Sequence, residues 1–208
     1  MDGEALYHMQ RGVACYNNAD FESAVEEFSR LLEIDSKASI AHLYRALAIR
    51  ACGDPVEGWR EYEIVFREDP SSGYSFFAKA RLFLEDRTVL DKGDLQKVYL
   101  ETIELYSQAI KLAQDFSLAY FSRGELRYEL DDFNGAVEDF DRTIKLDSSF
   151  ALGYVKRAQA RAKIGEYRSA IRDLEFFLEL PLGAARNDWV MRNISAYWYQ
   201  LSMQAEVG

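Results

Sequence analysis

Apolar side chains recur along this chain at the spacing of one face of an α-helix, and short polar segments interrupt the pattern at regular intervals. Four of these interruptions read YNNADF, ACGDPV, ELDDFN and KIGEYR, and each contains residues that favour turns. The stretches between them are long enough for helices of about 12 to 15 residues. The pattern predicts antiparallel pairs of helices and an all-α fold.

The helix pairs repeat with a period of 34 residues. A small residue marks each copy, at spacings of 34, 34, 44 and 34: Gly12, Ala46, Ala80, Gly124 and Ala158. A basic residue precedes each of them, and a ring stands three positions before the basic residue: His8, His42, Phe76, Tyr120 and Tyr154. A second small residue comes later in each copy, followed four positions on by Phe28, Tyr62, Tyr106, Phe140 or Leu174. A fixed period of this length predicts a helical repeat protein.

The rings, the small residues and the REDP sequence that ends the second copy resemble the tetratricopeptide repeat (TPR) family over residues 5 to about 182. The resemblance implies a right-handed α-solenoid of five helical hairpins whose first helices line a concave groove. We expect repeats at 5–38, 39–72, 73–116, 117–150 and 151–182 within a single domain, 1–208. Two features depart from the family pattern: His replaces the first aromatic residue in two repeats, and a basic residue stands where Leu is common.

Stacking is the physical reason for such an array, because one hairpin cannot bury both of its apolar faces alone. Glycine in a helix interior costs about 1 kcal/mol relative to alanine. Gly12 and Gly124 therefore predict close crossings between the two helices of their hairpins.

Repeat three is ten residues longer than its neighbours, because 22 residues separate Ala80 from Thr102 where the other repeats use 12. The added segment contains Glu85, Asp86, Asp91 and Asp94, but their spacing does not match an EF-hand calcium loop. We expect an extended, solvated hairpin with lengthened helices.

After Pro181 and Gly183, a further amphipathic segment spans about 186–204. Its apolar stripe is predicted to contain Trp189, Ile194, Tyr197, Trp198 and Leu201. The segment is expected to be a capping helix over repeat five, because the end of a solenoid otherwise exposes apolar surface. The first helix of a partial sixth repeat is the alternative, since Trp189 and Arg192 renew the spacing of ring and basic residue.

Charge and cysteine content narrow the classes of function. The net charge is −10, which argues against nucleic-acid binding, and residues 1–116 carry 13 basic and 21 acidic side chains. Cys15 and Cys52 are too few for a disulfide framework or a four-ligand zinc site. With neither a signal sequence nor a long apolar segment in view, we expect a cytoplasmic protein without membrane contact.

The sequence offers no set of residues typical of catalysis. His8 and His42 occupy the ring position of their repeats and are interpreted as packing residues, while Asp131 and Asp132 fall at a turn. No glycine-rich phosphate loop and no nucleophile with a base partner is evident. We expect neither an enzyme nor a bound cofactor or metal.

Function is therefore expected on the groove, at the positions that the family resemblance assigns to it. Those positions in the first three repeats are Met9, Val13, Tyr16, Asn17, Leu43, Leu47, Arg50, Phe77 and Arg81. In the last two repeats the candidate residues are Phe121, Glu125, Tyr128, Gln159, Lys156 and Lys163. The Lys, Asn and Arg residues of the family's chaperone-binding carboxylate clamp are missing from these positions, so chaperone binding of that kind is not expected.

Three hypotheses of function follow. The first is a non-catalytic adaptor that binds a partner peptide or helix in the groove through apolar and aromatic contacts. The second is a binder of acidic or phosphorylated peptides through the basic hairpin of repeat five. The third is a structural module that self-associates, the protein being otherwise a monomer or only weakly associated.

The recurring basic residue also predicts a contact of its own. An acidic residue stands sixteen positions after it in four repeats, as Glu27, Glu61, Asp139 and Asp173, whereas repeat three has Leu105 there. We expect an ion pair between the two helices of each of these hairpins, worth roughly 0.2 to 1 kcal/mol if exposed.

Overall fold

The structure is a computed structural model that describes residues 3–85, 92–180 and 187–206. Within these ranges the chain forms eleven α-helices and no strand. They are α1 (Gly3–Asn17), α2 (Phe21–Ile34), α3 (Ser39–Ala51), α4 (Pro55–Glu68), α5 (Gly73–Glu85), α6 (Lys92–Leu112), α7 (Ser117–Glu129), α8 (Phe133–Leu146), α9 (Ala151–Lys163), α10 (Tyr167–Glu179) and α11 (Asn187–Glu206). The all-α prediction is confirmed.

Consecutive helices pack in pairs, which gives the five predicted hairpins: α1 with α2, α3 with α4, α5 with α6, α7 with α8 and α9 with α10. Nine of these ten helices have 13 to 15 residues, whereas α6 has 21. The longer repeat three thus extends its second helix, but α5 has 13 residues like its counterparts, so the expected lengthening is seen in α6 and not in α5. Asp86 and Asp91 of the added segment lie outside the described residues, and the side chains of Glu85 and Asp94 are not described either.

The chain divides into two compact units, residues 1–115 and 116–208. In unit 1, α2 packs on α3 and α4 on α5, while α3 also touches the first helices on either side of it, α1 and α5. In unit 2, α8 packs on α9, α10 packs on α11, and α7 touches α9. The first helices of the hairpins therefore form an inner layer within each unit. That all five repeats form one domain remains a prediction.

Each hairpin turn among the described residues places one residue in the left-handed region of backbone conformation. These residues occupy equivalent positions of repeats one, two, four and five, with φ of 59° at Ala19, 97° at Gly53, 61° at Asp131 and 82° at Gly165. Three of the following helices begin with an aspartate cap, in which Asp20, Asp54 and Asp132 accept a hydrogen bond from a backbone N–H. Asp131 and Asp132 are therefore turn residues, as predicted.

The glycine crossings are as close as the sequence predicts. A Cβ atom added to Gly12 would lie 2.6 Å from Cε1 of Phe28, and one added to Gly124 would lie 2.8 Å from Cε1 of Phe140. Both phenyl rings are fully buried. The bulky residue of the second helix therefore fills the space that the missing side chain leaves in the first.

Helix α11 covers the apolar end of hairpin five. Val190 and Ile194 are buried in one core with Ala170, Ile171, Leu174 and Phe177 of α10, and Tyr197 packs at its edge. The predicted stripe was partly wrong, because Trp189 is 37% exposed and Trp198 is 53% exposed. The buried stripe begins at Val190 instead, since residues 190, 194, 197 and 201 follow one helical face and Trp189 and Trp198 lie beside it.

Candidate partner-binding surface and the polar core beneath it

A buried carboxylate joins the two helices of hairpins four and five. Asp139 accepts hydrogen bonds from Nε of Arg123 at 3.0 Å and from Nη2 of the same residue at 2.6 Å. Arg127, one turn further along α7, places Nη1 3.1 Å from Asp139. In hairpin five, Asp173 is bonded in the same way by Arg157 at 2.9 Å and by Arg161 at 2.8 Å. Each aspartate is thus held by two arginines of the preceding helix.

Hairpins one and two use a glutamate and a histidine instead of an aspartate and a second arginine. Glu61 lies 2.7 Å from both Arg45 Nη2 and His42 Nδ1, and Glu27 lies 2.7 Å from His8 Nδ1 and 3.4 Å from Arg11 Nη2. The predicted ion pair is therefore present in all four repeats. The histidines, however, are not mere packing residues, because each contributes a hydrogen-bonding nitrogen to the carboxylate that its arginine also binds.

Burial changes the energetic weight of these pairs. Glu27, Glu61, Asp139 and Asp173 are between 2% and 5% exposed. The estimate for an exposed pair does not apply, because losing the partner of a buried charge costs several kcal/mol. At Glu61, burial acts to raise the pKa of the carboxyl, but hydrogen bonds from His42 and Arg45 outweigh burial and lower that pKa below its ordinary value. The pairs therefore act as polar pins between the two helices of a hairpin.

Repeat three shows no such pin among its described residues. Lys79 is exposed, Leu105 stands at the acidic position and Phe76 at the ring position. The partly buried basic residue of this hairpin is Arg81, which lies two residues after Lys79 on α5. The apolar substitutions explain why this hairpin departs from the pattern of the other four.

The structure places the candidate groove residues of unit 1 on its inner helices α1, α3 and α5. Leu43, Leu47 and Phe77 are at most 6% exposed, so they form the packed layer between helices. Partly exposed candidates on the same helices are Met9, Val13, Tyr16, Asn17, Arg50 and Arg81. A partner could contact this second set without displacing the core.

The candidates of unit 2 are mostly engaged with one another. Phe121 is 7% exposed and packs on Phe140 and Phe150. Glu125 pairs with Lys156 at 2.8 Å, and Tyr128 contacts Phe133, over which Lys163 also lies. Gln159 is partly exposed on α9.

The basic hairpin of repeat five is compensated from within the unit. Besides Asp173, Arg157 also binds Asp141 at 2.6 Å, and Arg161 lies 3.3 Å from the same carboxylate. These internal pairs weaken the hypothesis of an acidic or phosphorylated ligand at this hairpin. Sequence reasoning missed Arg127 and Arg161 as partners, although they stand 34 residues apart in the two repeats that use aspartate.

The described residues contain no group of three or more His, Cys, Asp or Glu side chains that could hold a metal ion. Cys15 is half-buried and Cys52 is exposed, both as free thiols. None of the described helices combines the length and the apolar character needed to cross a bilayer.

Stacked helical hairpins, joined internally by buried pairs and closed at one end by an extra helix, define an all-α repeat protein of the solenoid class. Comparison with solved structures gives this fold a name: it is the fold of the tetratricopeptide repeat proteins. The sequence itself matches no family model, and no curated protein is significantly similar to it.

Three solved structures illustrate the likeness. TTC0263, a thermophilic TPR protein of Thermus thermophilus, is 13% identical with a TM-score of 0.63, over 94% of this chain and 99% of that one. The first TPR of Spaghetti (RPAP3), bound to the HSP90 peptide SRMEEVD, is 19% identical with a TM-score of 0.53, over 64% and 96%. A tetratricopeptide repeat protein from Parabacteroides merdae is 13% identical with a TM-score of 0.50, over 99% and 76%. The resemblance that the sequence predicts is thus confirmed at the level of the fold.

Proposed function

We propose that this protein is a non-catalytic adaptor that binds a segment of a partner protein on the inner helices of unit 1. One observation carries the proposal. The inner layer has a packed base of Leu43, Leu47 and Phe77 on α3 and α5, and on the adjacent helix α1 the side chains of Met9, Val13 and Tyr16 remain partly exposed. Partly exposed apolar side chains on a rigid base suit the anchors of a helix or an extended peptide.

The RPAP3 structure supports the proposal only through its fold, because that protein holds a peptide on a stack of the same kind of hairpin. Its ligand does not carry over to this chain. The clamp residues expected for a chaperone peptide are replaced here by Met9, Val13 and Leu43, among others. A different, more apolar segment fits the present surface better.

Photo-crosslinking tests the proposal directly. Benzoylphenylalanine is introduced at Val13 on the inner helix α1 and, as a matched control, at Val56 on the second helix α4, where the native side chain is 64% exposed. After irradiation in native lysate, we expect one protein to crosslink at residue 13 and not at residue 56. Mass spectrometry identifies that partner, which is then purified.

Binding of the purified partner provides the second part of the test. Val13→Glu should weaken it at least tenfold because a charge enters an apolar contact, whereas Val56→Glu should not. Circular dichroism checks that both variants remain helical. Equal crosslinking at the two positions, or an unchanged affinity for Val13→Glu, would exclude the inner helices of unit 1 as the binding surface.

A further inference from the structure

An open cleft lies between the last two helices of unit 2, α10 and α11. It has a volume of about 410 Å³ and is lined by Arg168, Ile171, Arg172, Glu175 and Trp198. Ile171 is 2% exposed and belongs to the core that α11 covers, whereas the other four side chains are exposed. The cleft thus combines an apolar floor with charged and aromatic walls that a ligand can reach.

The two arginines of the cleft differ from those of the polar pin in the same hairpin. Arg157 and Arg161 of α9 are both paired with carboxylates. Arg168 and Arg172 have no carboxylate of the described residues within ion-pair distance, and Arg172 donates a hydrogen bond to the neutral hydroxyl of Ser169 at 3.2 Å. The basic charge of repeat five that remains available to a ligand therefore lies on α10.

The charge of the lining is small and positive. Two arginines face one acid, Glu175, which leaves a net charge of +1 on the side chains that line the cleft. Residues 181–187, which connect α10 to α11, contain neither Asp nor Glu. The acid of the last turn of α11, Glu206, follows Trp198 by eight residues, a rise of about 12 Å along the helix. One added carboxylate would therefore balance the lining.

Trp198 supplies the apolar contact area of the cleft. Its side chain is 53% exposed, although it belongs to a helix whose smaller residues Val190 and Ile194 are buried. An indole ring offers a large rigid face at a small cost in conformational entropy. Trp and Arg are also the residues that most often dominate the binding energy of protein interfaces.

We propose that the cleft between α10 and α11 is a second docking site, which binds a peptide segment of a partner protein with one Asp or Glu close to one large apolar side chain. Arg168 and Arg172 stand four residues apart on one helix, about 6 Å from each other, so one carboxylate can accept charge-assisted hydrogen bonds from both. The apolar side chain packs against Trp198 above Ile171. This site lies in unit 2 and is independent of the inner helices of unit 1.

The electrostatics favour a carboxylate over a phosphate. A phosphoserine carries a charge between about −1.5 and −2, which exceeds the charge of the lining and brings a second negative charge towards Glu175. Residues 116–208 contain 12 basic and 14 acidic side chains, so the unit as a whole adds no attraction for a multiply charged ligand. A single acid gains the contact with the arginines without this repulsion.

Subtractive selection from a phage library of random dodecapeptides tests the site on the whole protein. The library is first depleted on a variant with Arg168→Gln, Arg172→Gln and Trp198→Ala, which keeps the inner helices of unit 1 intact. The remaining phage are then selected on the native protein. We expect the enriched peptides to contain an Asp or Glu within four residues of a Trp, Phe, Leu or Ile more often than the starting library does.

Substitution then assigns the binding of the best synthetic peptide to the cleft, with fluorescence polarisation as the measurement. The double variant Arg168→Gln, Arg172→Gln and the single variant Trp198→Ala should each weaken binding about tenfold. Arg192→Gln and Tyr199→Ala, at exposed positions of α11 outside the cleft lining, are the matched controls and should change it less than about twofold. All these side chains are exposed, so folding should be retained, which circular dichroism checks.

The remaining outcomes would overturn the docking site. These are the failure of any peptide to survive the subtraction, equal affinity for the native protein and the double arginine variant, and unchanged affinity after the acid of the peptide is replaced by its amide. Tighter binding of a peptide with phosphoserine in place of the acid would exclude the carboxylate preference. Val13→Glu should leave the affinity unchanged, so failure at this cleft and failure of the proposed adaptor surface are observed separately.

Discussion

Glu61 shows how a single residue couples the two helices of a hairpin. His42 faces it with Nδ1, and the other ring nitrogen of His42 lies 3.1 Å from the carbonyl oxygen of Ser36. A carbonyl can only accept a hydrogen bond, so that nitrogen carries a proton. The imidazole therefore connects the start of its own helix to a carboxylate of the next one, while Arg45 holds the second carboxylate oxygen.

The stability of the protein should depend on the ionisation of Glu61 at acidic pH. The folded state lowers the pKa of Glu61 below its ordinary value of 4.5, so the unfolded chain binds the proton more readily. Stability from this residue is complete above that value and is lost as the pH falls through the lower, folded pKa. Glu61→Gln removes this contribution, and urea unfolding between about pH 3 and pH 6 measures it.

The free energy of unfolding should therefore differ most between the native protein and Glu61→Gln above about pH 5, and the difference should shrink as the pH falls. Glu63→Gln, an exposed position on the same helix, provides the control and should show no such trend. A difference that stays constant across this range would mean that Glu61 is not held in its charged form by its partners.

At the scale of one element, the hairpin turn is the feature that the repeats share most closely. The same position takes a left-handed conformation in repeats one, two, four and five, yet glycine occupies it only in repeats two and five. Alanine pays a steric penalty there, because its Cβ crowds the backbone. The packing of the helices on either side of the turn therefore holds Ala19 in this unfavourable conformation.

Ala19→Gly should raise the free energy of unfolding by about 0.5 to 1 kcal/mol, since the strain at a φ of 59° disappears. Chemical denaturation measures the change. Ala14→Gly, at an exposed position inside α1, should have the opposite effect and destabilise the protein by about 1 kcal/mol. If both substitutions destabilise the protein equally, the turn stores no strain.

Helix boundaries and pins could be predicted from the sequence because both recur at a fixed spacing. The basic residue of one helix and the acid sixteen positions later identify each other in four copies. Exposure on the inner helices could not be predicted, because the family resemblance assigns Val13 and Leu47 to the same face although Leu47 is only 6% exposed. The difference in exposure depends on how closely the neighbouring helices pack against each residue. The spacing of residues in the sequence does not determine that packing.

At the scale of the molecule, the last hairpin of a stack has no further repeat to bury its apolar face. A polar-faced element must therefore shield that face from water. In unit 2, α11 provides this shield by placing Val190 and Ile194 against the last hairpin. Trp198 stays outside this core and lines an open cavity of about 410 Å³ with Arg168, Ile171, Arg172 and Glu175. The sequence predicted that the large aromatic residues form the buried stripe of α11. In the structure the smaller side chains of Val190 and Ile194 make the contact with the last hairpin.

Ile194→Ala should destabilise the protein by about 2 to 4 kcal/mol, because it opens a cavity in the core that α11 closes. Met191→Ala on the same helix is the control, and its effect should stay within about 0.5 kcal/mol since the side chain is 49% exposed. Thermal and urea unfolding report both values. Equal effects would show that α11 does not seal the end of the stack.

The two kinds of polar pin also determine which helices can be combined in a chimeric hairpin. Helices α2 and α4 both offer a glutamate to a histidine and an arginine, whereas α8 and α10 offer an aspartate to two arginines. Exchanging α2 with α4 keeps the same kinds of partner, a glutamate facing a histidine and an arginine. A chimera that joins α3 to α8 would set the shorter carboxylate of Asp139 opposite His42 and leave an imidazole nitrogen without its acceptor. The hairpins are thus modular only within each kind.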